Sequence, residues 1–236
     1  MFINHVLEQL RNLKCSGMIA AFQEQLSIPD ITGLSFEERL GLLVDREIIL
    51  REDRKLQSRL KQARLRQKAT IEAIDFRNQR GVDKSEILSL ASCEWIKQQH
   101  NIIITGPAGI GKTFLACALA QKACREGFSS GYYRIPRLLH ELSVSKGDGT
   151  YDSSLKKIAR IDVLILDDWG LSVLTESQRK DMLEILDDRY QLKSTIITTQ
   201  FTIEKWHEII GDPTIADAIL DRVVHNSYKL TMKVMR

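Results

Sequence analysis

One loop motif constrains this 236-residue chain more than any other feature of its sequence. Residues 106–113 read Gly-Pro-Ala-Gly-Ile-Gly-Lys-Thr and match the pattern G-x-x-x-x-G-K-[ST] at every position. The motif follows an isoleucine run at residues 102–104 and opens a helical pattern at residues 112–125. A glycine-rich loop between a strand and a helix attracts phosphate, because its backbone amides and the helix N-terminus both favour negative charge. The motif therefore predicts a nucleotide-binding loop.

The side chains of this loop predict how a nucleotide and its metal ion are held. Lys112 is expected to neutralise the β- and γ-phosphates, and the Thr113 hydroxyl is expected to ligate Mg²⁺. The predicted ligands are therefore a nucleoside triphosphate and Mg²⁺. The residues assigned to nucleotide contact are Gly106, Pro107, Ala108, Gly109, Ile110, Gly111, Lys112, Thr113 and Phe114.

Two patterns of hydrophobic residues divide the chain. In the second part, short β-branched runs alternate with helical patterns; the runs lie at residues 102–104, 132–135, 163–166 and 195–198. Such alternation is typical of a parallel sheet covered by helices on both faces. Residues 1–90 show only helical periodicity, and its apolar stripe is expected to face inward. We predict a three-layer α/β P-loop NTPase domain at residues 91–236, with a minimal C-terminal lid, after a small all-helical domain at residues 1–90.

Two adjacent carboxylates end the apolar strand at residues 163–166. Parallel strands bring their carboxyl ends to the sheet edge where ligands collect. Asp167 is expected to hold Mg²⁺ directly or through water, and Asp168 to polarise the attacking water as a general base. The alternative is a plain strand-terminal turn, since aspartate favours such positions. The upstream phosphate loop favours the catalytic interpretation.

A further polar group ends the strand at residues 195–198, which we expect to lie beside the strand of the phosphate loop. Thr199 is the predicted contact to the γ-phosphate or its attacking water, with Gln200 as the neighbouring alternative. Threonine is also simply common in strands.

An arginine near the C-terminus is the last catalytic candidate. Arg222 follows a predicted helix that starts at Pro213. An arginine can stabilise the charge that develops on a γ-phosphoryl group, and it is often supplied by a neighbouring subunit. From the spacing alone, a surface arginine is the simpler interpretation.

Positive charge is concentrated in one segment. The whole chain carries +3, but residues 51–68 hold eight basic and two acidic side chains, a net charge of +6. Charge runs are usually solvated helix faces, yet segregation of this degree favours contact with the phosphates of duplex DNA. Weak sequence preference is expected, because no zinc finger or base-reading helix is evident. The predicted DNA contacts are Arg51, Arg54, Lys55, Arg59, Lys61, Arg64, Arg66 and Lys68.

The cysteines and the N-terminal residues indicate in which cellular compartment the protein is expected. None of the four cysteines forms a C-x-x-C pair or has zinc-finger spacing to a histidine. The first residues lack the apolar core of a signal peptide, and apolar runs are too short to span a bilayer. We therefore expect a cytoplasmic protein with reduced thiols and no membrane association.

Four segments together resemble the IstB family. They are residues 34–40 (Leu-Ser-Phe-Glu-Glu-Arg-Leu), 104–107 (Ile-Thr-Gly-Pro), 167–170 (Asp-Asp-Trp-Gly) and 218–222 (Ala-Ile-Leu-Asp-Arg). This family consists of AAA+ ATPases that assist the transposase of IS21-type insertion sequences, and it is related to DnaC-type helicase loaders and DnaA-type initiators. The resemblance implies ATP binding, self-assembly on duplex DNA with bending of that DNA, and recruitment and stimulation of a transposase. Hydrolysis then controls disassembly.

The resemblance also implies roles for individual residues. The matched positions are Lys112 and Thr113 of Walker A, Asp167 and Asp168 of Walker B, Thr199 of the first sensor and Arg222 of an arginine finger that acts in trans on a site at the subunit interface. The second Walker B carboxylate is glutamate in many AAA+ proteins, so the shorter aspartate is expected to slow hydrolysis.

The C-terminus departs from the family pattern. The family typically ends in a Lys-Gly-Glu-Ser-Met-Arg-type segment whose arginine can serve as a second sensor. Here residues 230–236 read Leu-Thr-Met-Lys-Val-Met-Arg. Either Arg236 fills that role after a short deletion, or the element is missing.

Two other functions fit parts of the sequence. A DnaC-like helicase loader would take a hexameric helicase as its partner, although the Asp-Asp-Trp-Gly form and the N-terminal match favour the transposition helper. A P-loop kinase for small molecules would act as a monomer without DNA, and it leaves the basic segment unexplained.

Overall fold

The structure, a computed structural model, describes residues 2–28, 33–76 and 81–233. Its contacts divide the chain into two compact units, Met1–Ser58 and Arg59–Arg236. The N-terminal region is helical: α1 spans Phe2–Asn12, α2 spans Ser16–Ser27, and α3 spans Phe36–Ala63. A capping box starts α3, since the Ser35 amide donates to the Glu38 carboxylate at 2.8 Å and the Glu38 amide donates to the Ser35 hydroxyl at 3.2 Å.

A buried glutamate of α3 caps the start of α2. The Glu47 carboxylate accepts from the backbone amides of Gly17 at 2.6 Å and Met18 at 3.2 Å. These first-turn amides have no partner within their own helix, so a carboxylate stabilises them. The two helices approach so closely here that a Cβ on Gly17 would lie 2.6 Å from the Glu47 Cα. Only glycine fits at this position.

The prediction that the apolar stripe of the N-terminal helices faces inward is wrong for most of α3. Leu43 is buried, but six large apolar side chains of the same helix are exposed: Phe36, Leu40, Leu42, Val44, Ile48 and Ile49. A unit of this size buries a small fraction of its surface. The helical periodicity was therefore correct, while the direction of the stripe was not.

The second unit is built on five parallel strands in the order β2-β3-β4-β1-β5. The strands are β1 (Asn101–Thr105), β2 (Ser130–Arg134), β3 (Val163–Trp169), β4 (Ser194–Thr199) and β5 (Ser227–Thr231). The threonine-rich strand β4 pairs with β1, as predicted, and Thr105 lies opposite Thr199. This pairing brings the end of β4 next to the phosphate loop.

Helices cover both faces of the sheet. On one face, α4 (Lys84–Leu90), α5 (Glu94–Lys97) and α6 (Lys112–Arg125) pack around Ile102 and Ile104. The other face packs around Ile103 and carries α7 (Ile135–Gly147), α8 (Tyr151–Ala159), α9 (Glu176–Asp187), α10 (Trp206–Ile210) and α11 (Pro213–Val224). The predicted three-layer α/β fold with preceding helices is confirmed.

Some elements differ from the sequence prediction. Helix α8 and strand β5 were not predicted; in β5 only Leu230 is buried, so this edge strand lacks a continuous apolar run. Helix α9 ends at Asp187. Just beyond it, the buried Arg189 guanidinium donates to the backbone carbonyls of Ile158, Ile161 and Ser194, which holds the chain in a turn. Beyond β5 the described chain contains only residues 232–233, with no helical lid.

The boundary between the two units lies earlier than the predicted boundary at residue 90. Contacts place it after Ser58. The segment that follows α3 belongs to the α/β unit, because Ala69, Ile71, Ile87 and Leu90 are buried in the same hydrophobic cluster as β1 and α6. Helical periodicity alone could not separate helices that pack on the sheet from helices that pack on one another.

In the part of the chain that the structure describes, no helix has both the length and the apolar composition needed to cross a bilayer.

Candidate nucleotide-binding site

The phosphate loop lies between β1 and α6, and its glycines fix its path. Gly106, Gly109 and Gly111 have φ angles of 152°, 77° and 108°, which glycine adopts at little cost. A Cβ on Gly106 would also lie 2.6 Å from the Met232 carbonyl oxygen, so no side chain fits there. The loop is exposed at residues 107–109. Its backbone is therefore accessible to an anionic ligand.

Lys112 places an ammonium group over this loop. Its Nζ donates to the carbonyl oxygens of Gly106 at 2.7 Å and Pro107 at 2.8 Å. Burial lowers the pKa of the Lys112 amine from its ordinary value, and the carboxylates of Asp167 and Asp168 partly oppose this shift. The amine thus lies where the phosphates of a nucleotide cradled by the loop are expected.

Asp167 has more hydrogen-bond and ion-pair partners than the other side chains of the site. It is fully buried, and its two oxygens lie 2.9 and 3.1 Å from the Thr113 hydroxyl. The Tyr132 hydroxyl donates to it at 2.5 Å, and the Thr198 hydroxyl donates as well. Arg66 completes the set, with its Nη1 3.6 Å from Asp167 Oδ2. Donors from α6, β2, β4 and the segment after α3 therefore fix this carboxylate beside the phosphate loop.

Asp168 occupies a different environment. The register between β3 and β4 shifts between Leu166 and Trp169, and Asp168 has a φ of 66°. Its side chain is 22% exposed and accepts from Arg134 Nε, at the end of β2, at 2.6 Å. The two adjacent aspartates are thus one buried carboxylate and one that solvent can reach.

The threonine that reaches this cluster is Thr198, which differs from the predicted Thr199. The Thr199 hydroxyl donates to the Trp169 carbonyl at 3.0 Å and accepts from the Phe201 amide at 3.1 Å. The Thr198 hydroxyl bonds to Asp167 and also accepts from the Asp168 amide at 3.2 Å. Successive side chains of a strand face opposite sides of the sheet. Only one of the two threonines can therefore meet Asp167, and the register between β3 and β4 decides which.

Gln200, the second predicted candidate, follows the end of β4 and is exposed. The Thr198 hydroxyl remains the β4 group that contacts the paired aspartates.

The oxygen donors of the site fit Mg²⁺. A threonine hydroxyl and a carboxylate from Thr113 and Asp167 are the hard ligands that this ion prefers. Among the described residues, no group of three or more His, Cys, Asp or Glu could hold a metal ion by itself.

A small, mostly apolar pocket lies next to the first turn of α6. Phe114, a predicted nucleotide contact, lines it together with Phe76, Ile87 and Met232. Apolar and aromatic lining of this kind suits a planar base. Phe76 and Ile87 were missed by the sequence prediction, because the segment before β1 carries no phosphate-binding pattern.

Arg222 lies outside the aspartate cluster of its own chain. Its Nε donates to the Asp187 carboxylate at 2.6 Å, and its Nη1 donates to the Ala218 carbonyl at 2.9 Å. Arg222 belongs to α11, and these contacts do not direct its side chain to the nucleotide site of its own chain. Action in trans stays a prediction. Arg236, the second-sensor candidate, lies outside the described residues.

The eight basic residues predicted to contact DNA are not equivalent. Arg51 pairs with Glu47 at 2.6 Å, and Arg59 Nε donates to the Cys124 carbonyl at 2.9 Å. Arg66 forms the ion pair with Asp167. The charge pattern did not predict these protein contacts. The other five are exposed: Arg54, Lys55, Lys61, Arg64 and Lys68.

The fold and the site together define a class of protein. A parallel sheet in this strand order, a phosphate loop after β1 and paired aspartates on β3 are those of a P-loop nucleotide-binding protein with the AAA+ fold. The solved DnaC helicase loader has this fold, with a TM-score of 0.57 and 22% identity, covering 70% of this chain and 97% of that chain. At that identity the likeness concerns the fold alone.

Residues 8–235 match the family described as IstB-like ATP binding protein, and the chain belongs to that family. A Sinorhizobium fredii (strain NBRC 101917 / NGR234) protein, named as an insertion sequence ATP-binding protein, is 47% identical over 232 residues, which cover 98% of this chain and 95% of that protein. A Pseudomonas fluorescens protein, named as an ATP-binding protein of insertion sequence IS1162, is 49% identical over 201 residues, covering 85% of this chain and 87% of that protein. The predicted family resemblance is confirmed.

Proposed function

We propose that this protein is an ATPase that assembles on duplex DNA as a homo-oligomer and recruits and stimulates the transposase of its insertion sequence. Hydrolysis of ATP ends the assembly, and the protein acts in the cytoplasm on DNA. The observation that carries the proposal is the convergence of Lys112, Thr113, Asp167 and Asp168 at one edge of the sheet. Membership of an insertion-sequence ATP-binding family supports the biological setting.

The site residues divide the work of phosphoryl transfer. The loop amides and Lys112 bind and orient the phosphates, while Thr113 and Asp167 hold Mg²⁺, which neutralises charge on the transferred phosphoryl group. Asp168 accepts the proton of the attacking water, since its carboxylate is reachable from solvent. The Arg134 guanidinium pairs with the same carboxylate at 2.6 Å.

Replacement of Thr198 by valine tests the revised assignment on β4. Thr198→Val is expected to lower kcat for ATP hydrolysis about 10- to 100-fold with ATP affinity little changed, because it removes the hydroxyl that contacts Asp167 and the Asp168 amide. Steady-state kinetics and direct ATP binding measure the two effects. Thr199→Val is the matched control and should lower Tm without the loss of turnover, since it breaks one buried and one partly buried hydrogen bond away from the aspartates. If Thr199→Val lost ATP turnover while its Tm stayed unchanged, the contact to the γ-phosphate or its attacking water would be assigned to Thr199.

Replacement of Arg222 tests the arginine finger. Arg222→Ala is expected to bind ATP normally and to hydrolyse it about 10³-fold more slowly, the lower end of what such a residue supplies. Mixing with Lys112→Ala subunits should restore turnover, because the second variant carries an intact Arg222 to its neighbour. Asp187→Asn breaks the ion pair of Arg222 but keeps the arginine, so it should retain activity. If Arg222→Ala hydrolysed ATP at the wild-type rate, Arg222 would not be an arginine finger and would act only as the ion-pair partner of Asp187.

The salt dependence of DNA binding tests the five exposed basic residues. Five phosphate contacts predict a slope of about −4.5 for log Kobs against log salt concentration. Lys68→Ala should reduce the steepness by about 0.9, whereas Arg160→Ala, an exposed arginine at the end of α8, should leave it unchanged. Fluorescence anisotropy with a labelled duplex measures the slope. A slope near zero would contradict contact through these side chains.

Electron microscopy and pull-down test the proposal as a whole. With ATP and a long duplex, ordered assemblies on DNA are expected, and they should be absent with ADP. Purified transposase of the same insertion sequence should be retained on these assemblies. Retention of a replicative helicase instead would indicate a helicase loader. Rapid ATP turnover in dilute monomer, indifferent to duplex DNA, would contradict the proposal.

A further inference from the structure

We propose that Arg66 is a residue of the nucleotide site, which acts in its own subunit on the terminal phosphate of ATP. This inference rests on the proposed ATPase function. It reassigns a side chain that the charge pattern places among the DNA contacts. The main observation in its support is that the Arg66 guanidinium lies 3.6 Å from the buried carboxylate of Asp167.

The backbone around Arg66 is anchored beside the first turns of α6. Helix α3 ends at the buried Ala63, and two residues of the following segment fix its course: Leu65 packs against the hydrophobic cluster that contains α6, and Ala69 is buried in it. The backbone of this segment at Arg66 lies close to the Cys117 thiol, one helical turn after Thr113. The segment therefore holds Arg66 at the side of α6 that faces the metal-binding oxygens.

The side chain of Arg66 reaches the centre of the site. It lies next to the Tyr132 side chain, whose hydroxyl donates to Asp167. Half of the Arg66 side chain remains exposed, at 51%. A guanidinium has five N–H donors in a planar fork, more than these two contacts use. Its remaining donors are available to an oxyanion in front of the aspartates.

The charge balance of the site indicates which anion this is. Asp167 and Asp168 place two negative charges beside the phosphate loop, and both oppose binding of a triphosphate. Lys112 lies over the loop, whereas Arg66 and Arg134 lie next to the aspartates. Thr113 and Asp167 would hold the Mg²⁺ that accompanies a bound triphosphate, so the phosphate expected nearest Arg66 is the terminal one. Arginine suits this task through bidentate contact with phosphate.

This placement distinguishes Arg66 from a DNA contact in a measurable way. An arginine that contacts only DNA contributes nothing to nucleotide affinity when DNA is absent. An arginine that contacts the γ-phosphate raises the affinity for ATP and leaves the affinity for ADP almost unchanged. The ratio of the two affinities is therefore the diagnostic quantity, and general damage to the site would lower both affinities together.

The experiment measures Mg²⁺-dependent binding of ATP and ADP to the full chain without DNA. Arg66→Ala is expected to weaken ATP binding about 10-fold or more and ADP binding less than about twofold, the loss typical of a hydrogen bond to a charged group. Arg66→Lys keeps the charge without the fork and should fall between Arg66→Ala and the wild type. Arg160→Ala removes an exposed arginine elsewhere and should bind both nucleotides like the wild type.

The outcomes separate this inference from the function on which it rests. Equal affinities of Arg66→Ala and wild type for ATP, with normal wild-type ATPase activity, would overturn the role of Arg66 and leave the proposed function intact. Equal losses for ATP and ADP would also overturn it. Failure of the wild type to bind ATP at all would contradict the proposed function itself. If Arg66→Ala proves unstable by thermal melting, the ATP-to-ADP ratio of Arg66→Lys decides, and a wild-type ratio there counts against the role.

Discussion

Lys112→Ala is expected to bind ATP about 10- to 100-fold more weakly than the wild type and to lose ATP-dependent assembly on DNA. A hydrogen bond to a charged group is worth about 1.5–3 kcal/mol, which corresponds to this range of affinity. The fold should be unaffected, because the Lys112 amine bonds only to two loop carbonyls. Calorimetric titration with ATP measures the affinity, and sedimentation with duplex DNA measures assembly.

Two controls make the result for Lys112 specific. Arg160→Ala removes one positive charge from an exposed position at the end of α8 and should bind ATP like the wild type. Thermal melting should give nearly the same Tm for all three proteins. ATP affinity within twofold of wild type in Lys112→Ala would mean that the loop does not hold the phosphates as proposed.

Asp168→Asn is expected to bind ATP, assemble on duplex DNA and remain there, with hydrolysis slowed about 10²- to 10⁴-fold. This range is typical of losing a general base. Asparagine preserves the size of the side chain but cannot accept the proton of the attacking water. The same variant loses its charge pairing with Arg134. Single-turnover hydrolysis and the lifetime of the DNA-bound assembly measure the two effects.

Asp152→Asn is the control for loss of one exposed carboxylate, since Asp152 lies in the first turn of α8. It should hydrolyse ATP at the wild-type rate. Rapid hydrolysis in Asp168→Asn would remove Asp168 from the role of base. In that case Arg134→Ala, which frees the same carboxylate, should also leave the rate unchanged.

Local chemistry made the centre of this site predictable. The phosphate loop requires glycine at fixed positions, and the structure gives Gly106 and Gly111 the φ angles that explain them. Asp167 and Asp168 could be placed near the loop because parallel strands end at one edge of a sheet. The structure also contains a capping box at Thr175, a motif whose pattern of four residues can be read from the sequence alone.

Features that depend on distant contacts were not predictable in the same way. The choice between Thr198 and Thr199 depends on which face of β4 meets Asp167, and a bulge in β3 sets that relation. Arg66 has no local pattern that separates it from Lys68, because its partner belongs to β3. The sequence shows which residues are charged, but the contacts of the folded protein determine which of those charges are paired.

The crowding around Asp167 has a consequence for how the site responds to a metal ion. A carboxylate offers about four lone-pair positions, and here three hydroxyls and a guanidinium share them. An ion that ligated Asp167 would compete with these donors. The donors belong to α6, β2, β4 and the segment after α3. Four separate elements would therefore be affected by the occupancy of one carboxylate.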